Sequence, residues 1–407
     1  MRRIGTLTFL FLLAWISFGF MRPPQVQGGF DVINPGVSYN FGQQITFTAQ
    51  LVSTSGSPIT QATISFRDVN EQNTRVEPLI VSPDGSTSFQ YNASQNVLPP
   101  FATIVFSYQV TFANGQTSTS AAYYFRYDDN RFTWKSVADG GVTVHWYNGD
   151  DAFGRAALDA ARVSLQNISQ MMNVSTGSSP LDVYVYANAT DLQSALTLGG
   201  RQWIAGHADP ALGVVMVSVA PGDTQTIELQ RQVPHELAHV MLYRNIGETG
   251  YNRLPAWLNE GIASMAELYP NPDYASALTQ ASKNNTLIPF AKLCGSFPAD
   301  SGGAFLAYAQ SESFVRYLRS TYGDTGLNAL TKSYADGLDC DLGAMRALGT
   351  PLGQLDTRWR ESALGQNVAG VALSNLLPYI ILLVLVLIVP VWSALAVVIG
   401  RRKNAGK

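Results

Sequence analysis

The amino-acid sequence predicts a multidomain chain: an all-β sandwich, then an α+β domain, then one C-terminal transmembrane helix. Three observations lead there. Residues 29–130 alternate polar and apolar side chains between regularly spaced turn clusters; from Arg131 onward strands mix with helices and then give way to them; and Leu376 to Gly400 carries no charge. The 407 residues leave room for two cores. Charged residues make up 14 % and hydrophobic ones 46 %, whereas a soluble domain is typically about 25 % charged. The two apolar ends account for part of that gap.

The sandwich rests on alternation. Gln44–Ala49, Ala62–Phe66 and Ile104–Val110 place apolar residues at every second position, as a half-buried strand requires. Ser55-Gly56-Ser57-Pro58, Ser82-Pro83-Asp84-Gly85 and Ala113-Asn114-Gly115 separate the runs, and Asn-Gly between two alternating runs signals a hairpin. Short strands over about 100 residues suggest an immunoglobulin-like or fibronectin-like sandwich. No titratable cluster stands out in it, so its expected role is spacing, or binding a protein or glycan ligand.

The second domain is expected over 131–365. Val142–Tyr147, Leu181–Tyr186 and Gly213–Ser218 read as strands, and Phe153–Met172 as a helix, with a short helix ending near Leu196. Beyond Pro221 helices are expected at about 224–244, 255–269, 274–283, 302–321, 325–335 and 351–363. A linker at 366–375 leads to a span at 376–400, long enough to cross about 30 Å of hydrocarbon. Arg401-Arg402-Lys403 begin the tail 401–407, a stop-transfer pattern that puts the tail in the cytoplasm. At the other end, Met1-Arg2-Arg3 and the apolar run Ile4–Phe20 have the layout of a signal peptide over 1–28, cleaved near Val26-Gln27-Gly28 or kept as an anchor. The expectation is a single-pass cell-membrane protein with its folded domains extracytoplasmic. A net charge of −3 with no basic stripe excludes a nucleic-acid partner. Cys294 and Cys340 are expected to form a disulfide in an oxidising compartment, or to remain two structural free thiols. Sequons at Asn92, Asn167, Asn173, Asn188 and Asn284 matter only in a host that glycosylates.

The chemistry concentrates in His235-Glu236-Leu237-Ala238-His239, which holds two of the chain's four histidines. One helical turn apart, both imidazoles can face a single ion, with Glu236 beside them. A catalytic zinc takes a third protein ligand. Neither cysteine is near, and downstream the run Leu254-Pro255-Ala256-Trp257-Leu258-Asn259-Glu260-Gly261-Ile262-Ala263 offers Glu260 on a second helix, with Pro255 in its first turn and Trp257 as a core anchor. Pro234 either opens the histidine helix or sits inside one begun near Thr226.

These residues resemble those of the gluzincin zinc metallopeptidases, and more closely the compact bacterial peptidase MA-like domains, where Trp-Leu-x-Glu-Gly-x-Ala recurs. Ala307-Tyr308-Ala309-Gln310-Ser311 followed by Phe314-Val315-Arg316-Tyr317-Leu318 is similar to a downstream helix of those domains, so the likeness spans roughly 135–365. The resemblance implies a zincin-like fold that binds Zn²⁺ through His235, His239 and Glu260, with Glu236 as general base and a peptide or protein as substrate. Thermolysin-like enzymes place an orienting aspartate one turn after the glutamate ligand. Here Ser264 stands there, and Glu267 is the nearest carboxylate to replace it. Tyr308 is the candidate oxyanion donor, against a packing role, and His207 a candidate catalytic residue, against a loop residue. The strand at 213–218 is the expected edge along which an extended peptide would pair. His145, on a strand, reads as structural. The alternative function is a non-hydrolytic surface binding or adhesion protein that keeps the fold, although a purely structural site has no use for Glu236.

Overall fold

A computed structural model of the chain describes residues 28–175, 179–196, 206–366, 370, 376–388 and 392. The chain divides into two compact units at Asn130/Arg131.

The N-terminal unit is a sandwich of two antiparallel sheets. One orders β1 (Phe30–Asn40), β2 (Gln44–Ser53) and β5 (Ser86–Asn92). The other runs β4 (Arg75–Leu79), β3 (Ile59–Asp68), β6 (Thr103–Phe112) and β7 (Thr117–Thr119), with β8 (Tyr123–Arg126) also on β6. The expected runs at 44–49, 62–66 and 104–110 lie in β2, β3 and β6. Asn114-Gly115 makes the β6–β7 hairpin, in which Gly115 takes φ 79° and the Phe112 amide donates to the Gln116 carbonyl at 2.9 Å. Inward residues of the two sheets meet directly: the Phe47 ring lies 5.2 Å from both Phe66 and Phe106, and all three are buried.

The C-terminal unit joins a five-stranded mixed sheet to a set of helices. The strand order is β12 (Gly206–Asp209), β13 (Val214–Ser218), β11 (Leu181–Tyr186), β10 (Val142–Trp146) and β9 (Lys135–Asp139). β10, β11 and β13 are parallel, and the two outer strands run antiparallel to their neighbours. β13 is therefore internal, and the expectation that residues 213–218 form the edge is corrected. A turn through Gly213, at φ 70°, folds His207 back opposite Met216, so β12 is the edge.

Helix α1 (Asp151–Met172) links β10 to β11. Asp150 caps its first turn by accepting the Phe153 amide at 2.9 Å, and Asn173 ends it in the left-handed conformation. Its Ala157, Ala161, Leu165 and Ile168 share one core with Val144 and Val183 of the sheet. A short α2 (Ala189–Leu196) follows β11. The helices after the sheet are α3 (Gln225–Tyr251), α4 (Ala256–Ala266), α5 (Asp273–Lys283), α6 (Ser301–Ala335), α7 (Cys340–Leu348) and α8 (Leu352–Leu364). The helices expected at 302–321 and 325–335 are the two halves of α6, divided by non-helical torsions at Gly323, and α3 is interrupted likewise at Gly247. α7, which hydrophobic spacing does not reveal, is defined by its ends: the Asp339 side chain accepts the Leu342 amide at 2.8 Å and Gly349 closes the helix at φ 67°.

Cys294 and Cys340 form a disulfide, tying the turn at Phe290–Leu293 to the start of α7. With a sequence separation of 46 between the partners, loop-closure entropy makes it worth about 4 kcal/mol.

Among the described residues no helix is long and apolar enough to cross a membrane. Residues 376–388 are helical, with Leu376 through Ile388 exposing large apolar side chains. Apart from Trp392, the rest of the expected span at 376–400 lies outside the described residues. So do the expected signal segment up to residue 27, most of the linker and the tail 401–407.

Candidate metal centre

Helix α3 presents His235, Glu236 and His239 toward the sheet edge and α4. The imidazole rings of His235 and His239 are 5.2 Å apart, as i,i+4 spacing requires. α4 supplies Glu260. The Pro255 carbonyl accepts the Leu258 and Asn259 amides as the helix begins, and Trp257, fully buried, packs on Phe290 and Phe314 at 5.6 and 5.1 Å. Gly261 lets α4 lie directly on α6: a Cβ there would stand 2.6 Å from the Ser311 carbonyl oxygen. A tightly seated α4 fixes its neighbouring glutamate. Glu260 Oε2 lies 3.4 Å from His235 Nε2 and 3.7 Å from His239 Nε2.

Each imidazole is turned by a bond at its other nitrogen. His235 Nδ1 meets Glu267 Oε1 at 3.2 Å, and His239 Nδ1 meets Asn259 Oδ1 at 3.1 Å. Asn259 in turn donates from Nδ2 to the Tyr251 hydroxyl at 3.3 Å, which sets its amide orientation. With Nδ1–H donating to these oxygens, both Nε2 atoms face Glu260. The three ligand atoms all fall within 4.8 Å of one another. Two imidazole nitrogens and one carboxylate oxygen converging at that spacing, with their outer nitrogens held, fit a transition-metal ion of the zinc type.

The charges are strongly coupled. Burial works against a charged His235, but hydrogen bonds to Glu260 and Glu267 outweigh it and raise its pKa to about 10 in the metal-free protein. Glu260 moves the other way: burial opposes its ionisation, yet His239 and His235 beside it hold its pKa below the usual carboxylate value. Burial pushes Glu236 upward, against the pull of both histidines. Glu236 is 7 % exposed, accepts the Ala208 amide of β12, and lies so close to Gly206 that a Cβ there would stand 2.5 Å from its Oε1. The edge strand thus clamps this carboxylate by its backbone.

A cavity of about 490 Å³ opens over these groups. His235, Glu236, His239, Glu260, Tyr308 and His207 all line it, so the residues singled out from the sequence come to one place. Tyr308 hydrogen-bonds Glu260, and its ring lies 6.1 Å from that of His235. Burial first, then the charges of Glu260 and Glu236, raise its pKa and keep it a proton donor. His145 lies elsewhere: its Nε2 is 2.7 Å from Asp182 Oδ1 and its ring stacks on Tyr184 at 4.3 Å. Arg231, Gln232, Tyr251 and Tyr274 also line the cavity. Arg231 carried a readable signal, one turn before His235 on the same helix, whereas Tyr251 and Tyr274 carried none.

The Peptidase MA superfamily pattern matches residues 160–365, just over half of the chain. The chain belongs to the peptidase MA superfamily. Membership places it among peptidases, hydrolases of the peptide bond, in a family that typically depends on a metal. The match begins inside α1 and runs through α8, so it covers α3, α4 and α6, the helices that build the centre of this peptidase MA domain. No curated protein matches the chain. Among solved structures, a myokine is similar at 12 % identity with a TM-score of 0.20, over 25 % of this chain and 99 % of its own. Wild-type OgpA from Akkermansia muciniphila is similar at 14 % identity with a TM-score of 0.21, over 26 % of this chain and 29 % of its own. Neither likeness reaches a level that bears on function.

Proposed function

We propose that the chain is a membrane-anchored, extracytoplasmic zinc peptidase that holds its metal through His235, His239 and Glu260 and uses Glu236 as general base. The observation that carries this reading is the meeting of three ligand atoms within 4.8 Å beside a second, buried carboxylate, in a cavity bounded by a sheet edge. Bound by that set, zinc would supply Lewis acidity toward a water and the scissile carbonyl. Glu236 takes the proton of the attacking water and returns it to the departing amine. Its raised pKa suits a group that must hold that proton between the two transfers, and the Ala208 amide with Gly206 keeps its carboxylate aimed. Tyr308, protonated, donates to the developing oxyanion. β12 offers its backbone to an extended peptide laid along the edge, which places His207 beside the substrate.

Anchoring is supported by the uncharged stretch 376–400 and the three basic residues after it, and an extracytoplasmic setting by the disulfide and the N-terminal apolar run. In this arrangement the sandwich serves as a spacer or as the binder of a protein or glycan near the membrane. The test is cleavage of a broad peptide library by the full chain, before and after phenanthroline treatment and after zinc is added back. Cleavage lost to chelation and restored by zinc is expected. Cleavage indifferent to chelation, or none at all with zinc bound, would refute the reading.

A further inference from the structure

We infer that Pro234 is a positioning residue for the ligand His235: lacking an N–H, it leaves the Gln230 carbonyl to hold the Leu268 amide, and through it the Glu267 carboxylate. This rests on the zinc reading of the site. In a helix interior the amide of residue 234 would bond to the carbonyl of residue 230, and a proline cannot make that bond. A helix carbonyl that loses its usual donor takes one from elsewhere. The Gln230 carbonyl finds one across the fold, accepting the Leu268 N–H at 2.9 Å.

That bond falls where it matters. α4 ends at Ala266, and Glu267 has extended torsions, φ −55° and ψ 130°, so helix geometry does not aim its side chain. Two backbone bonds bracket it instead: its own amide donates to the Ser264 carbonyl at 3.3 Å, and the next amide donates to Gln230. Thus fixed, Glu267 buries its side chain and brings Oε1 to 3.2 Å from His235 Nδ1. The helix that carries His235 therefore also grips the backbone of the carboxylate that orients it. The proline costs the helix no break in torsions, since the departure from helical geometry in α3 is at Gly247. Ser264, buried one turn after Glu260, leaves the orienting role open, and the Pro234–Gln230–Leu268 arrangement fills it from three residues further on.

The test is Pro234→Ala in the full chain. Removing a proline from a helix interior favours the helix, so the melting temperature of the metal-free protein should hold or rise. The restored amide competes for Gln230, so hydrogen exchange at the Leu268 amide should accelerate. Zinc affinity, measured by competition with a chelator, should fall about 10-fold, the scale on which partners of metal ligands act. In a Glu267→Ala background the same substitution should leave zinc affinity unchanged, because the two act as one unit. Unchanged exchange at Leu268, unchanged zinc affinity, or an equal loss in both backgrounds would each overturn the inference. A wild-type chain that binds no zinc would refute the function reading instead, and the Leu268 exchange would still decide the backbone relay.

Discussion

In the N-terminal unit Asp68, buried like Asp129, accepts the Asn70 amide at 3.0 Å, two residues away. In the C-terminal unit Glu236, Glu260 and Glu267 come from different stretches of chain and close around His235 and His239. Buried charge opposes folding unless it is paired, so a domain that gathers three carboxylates and two imidazoles in one cleft concentrates that cost at a single place. The sandwich core is aromatic, with Phe47, Phe66 and Phe106 in contact. One unit packs aromatic rings at its centre, and the other gathers charge in a cleft.

The contrast can be broken from the sandwich side first. Phe47→Ala should destabilise the N-terminal unit by about 3–5 kcal/mol in denaturant unfolding, while zinc affinity in the native baseline stays unchanged. A loss of zinc affinity there would mean that the units do not divide the work as described. On the other side, Asn259→Ala removes the acceptor for His239 Nδ1 and should weaken zinc binding about 10-fold, with little change in the melting of the metal-free chain. Parallel losses in both would make Asn259 a packing residue. The smallest effect is one of pH. With a pKa of about 10, His235 carries a proton in the metal-free protein at pH 7–9, and a ligand must be neutral. Zinc binding should therefore release a proton from His235, and affinity should rise by about tenfold per pH unit across that range. Affinity flat with pH would show His235 already neutral.

What was legible in the sequence follows from what is local. Alternation marked β2, β3 and β6, and Asn114-Gly115 the β6–β7 hairpin, because strand faces and turn torsions are set by adjacent residues. His235 and His239 could be paired because helical spacing is fixed, and Glu260 could be joined to them because few ligand types lie within reach. The edge strand was misplaced because β12 is only four residues long and its pairing with β13 depends on a turn. α7 was missed because its caps, rather than its apolar spacing, define it. The partners of the imidazoles divide the same way. Glu267 is legible as the carboxylate to replace the one missing at Ser264, and it meets His235, whereas Asn259 stands beside a ligand in sequence with nothing to mark it as the partner of His239.

The central claim is that this cleft is a metal site with a separate base, and Glu236→Gln tests it most directly. The amide keeps the shape of the side chain but cannot accept a proton. The account predicts that wild type and variant bind about one zinc per chain with similar affinity, while peptide cleavage falls on the order of 10²–10⁴-fold. A variant that still cleaves at the wild-type rate, or one that loses its zinc along with its activity, would contradict it.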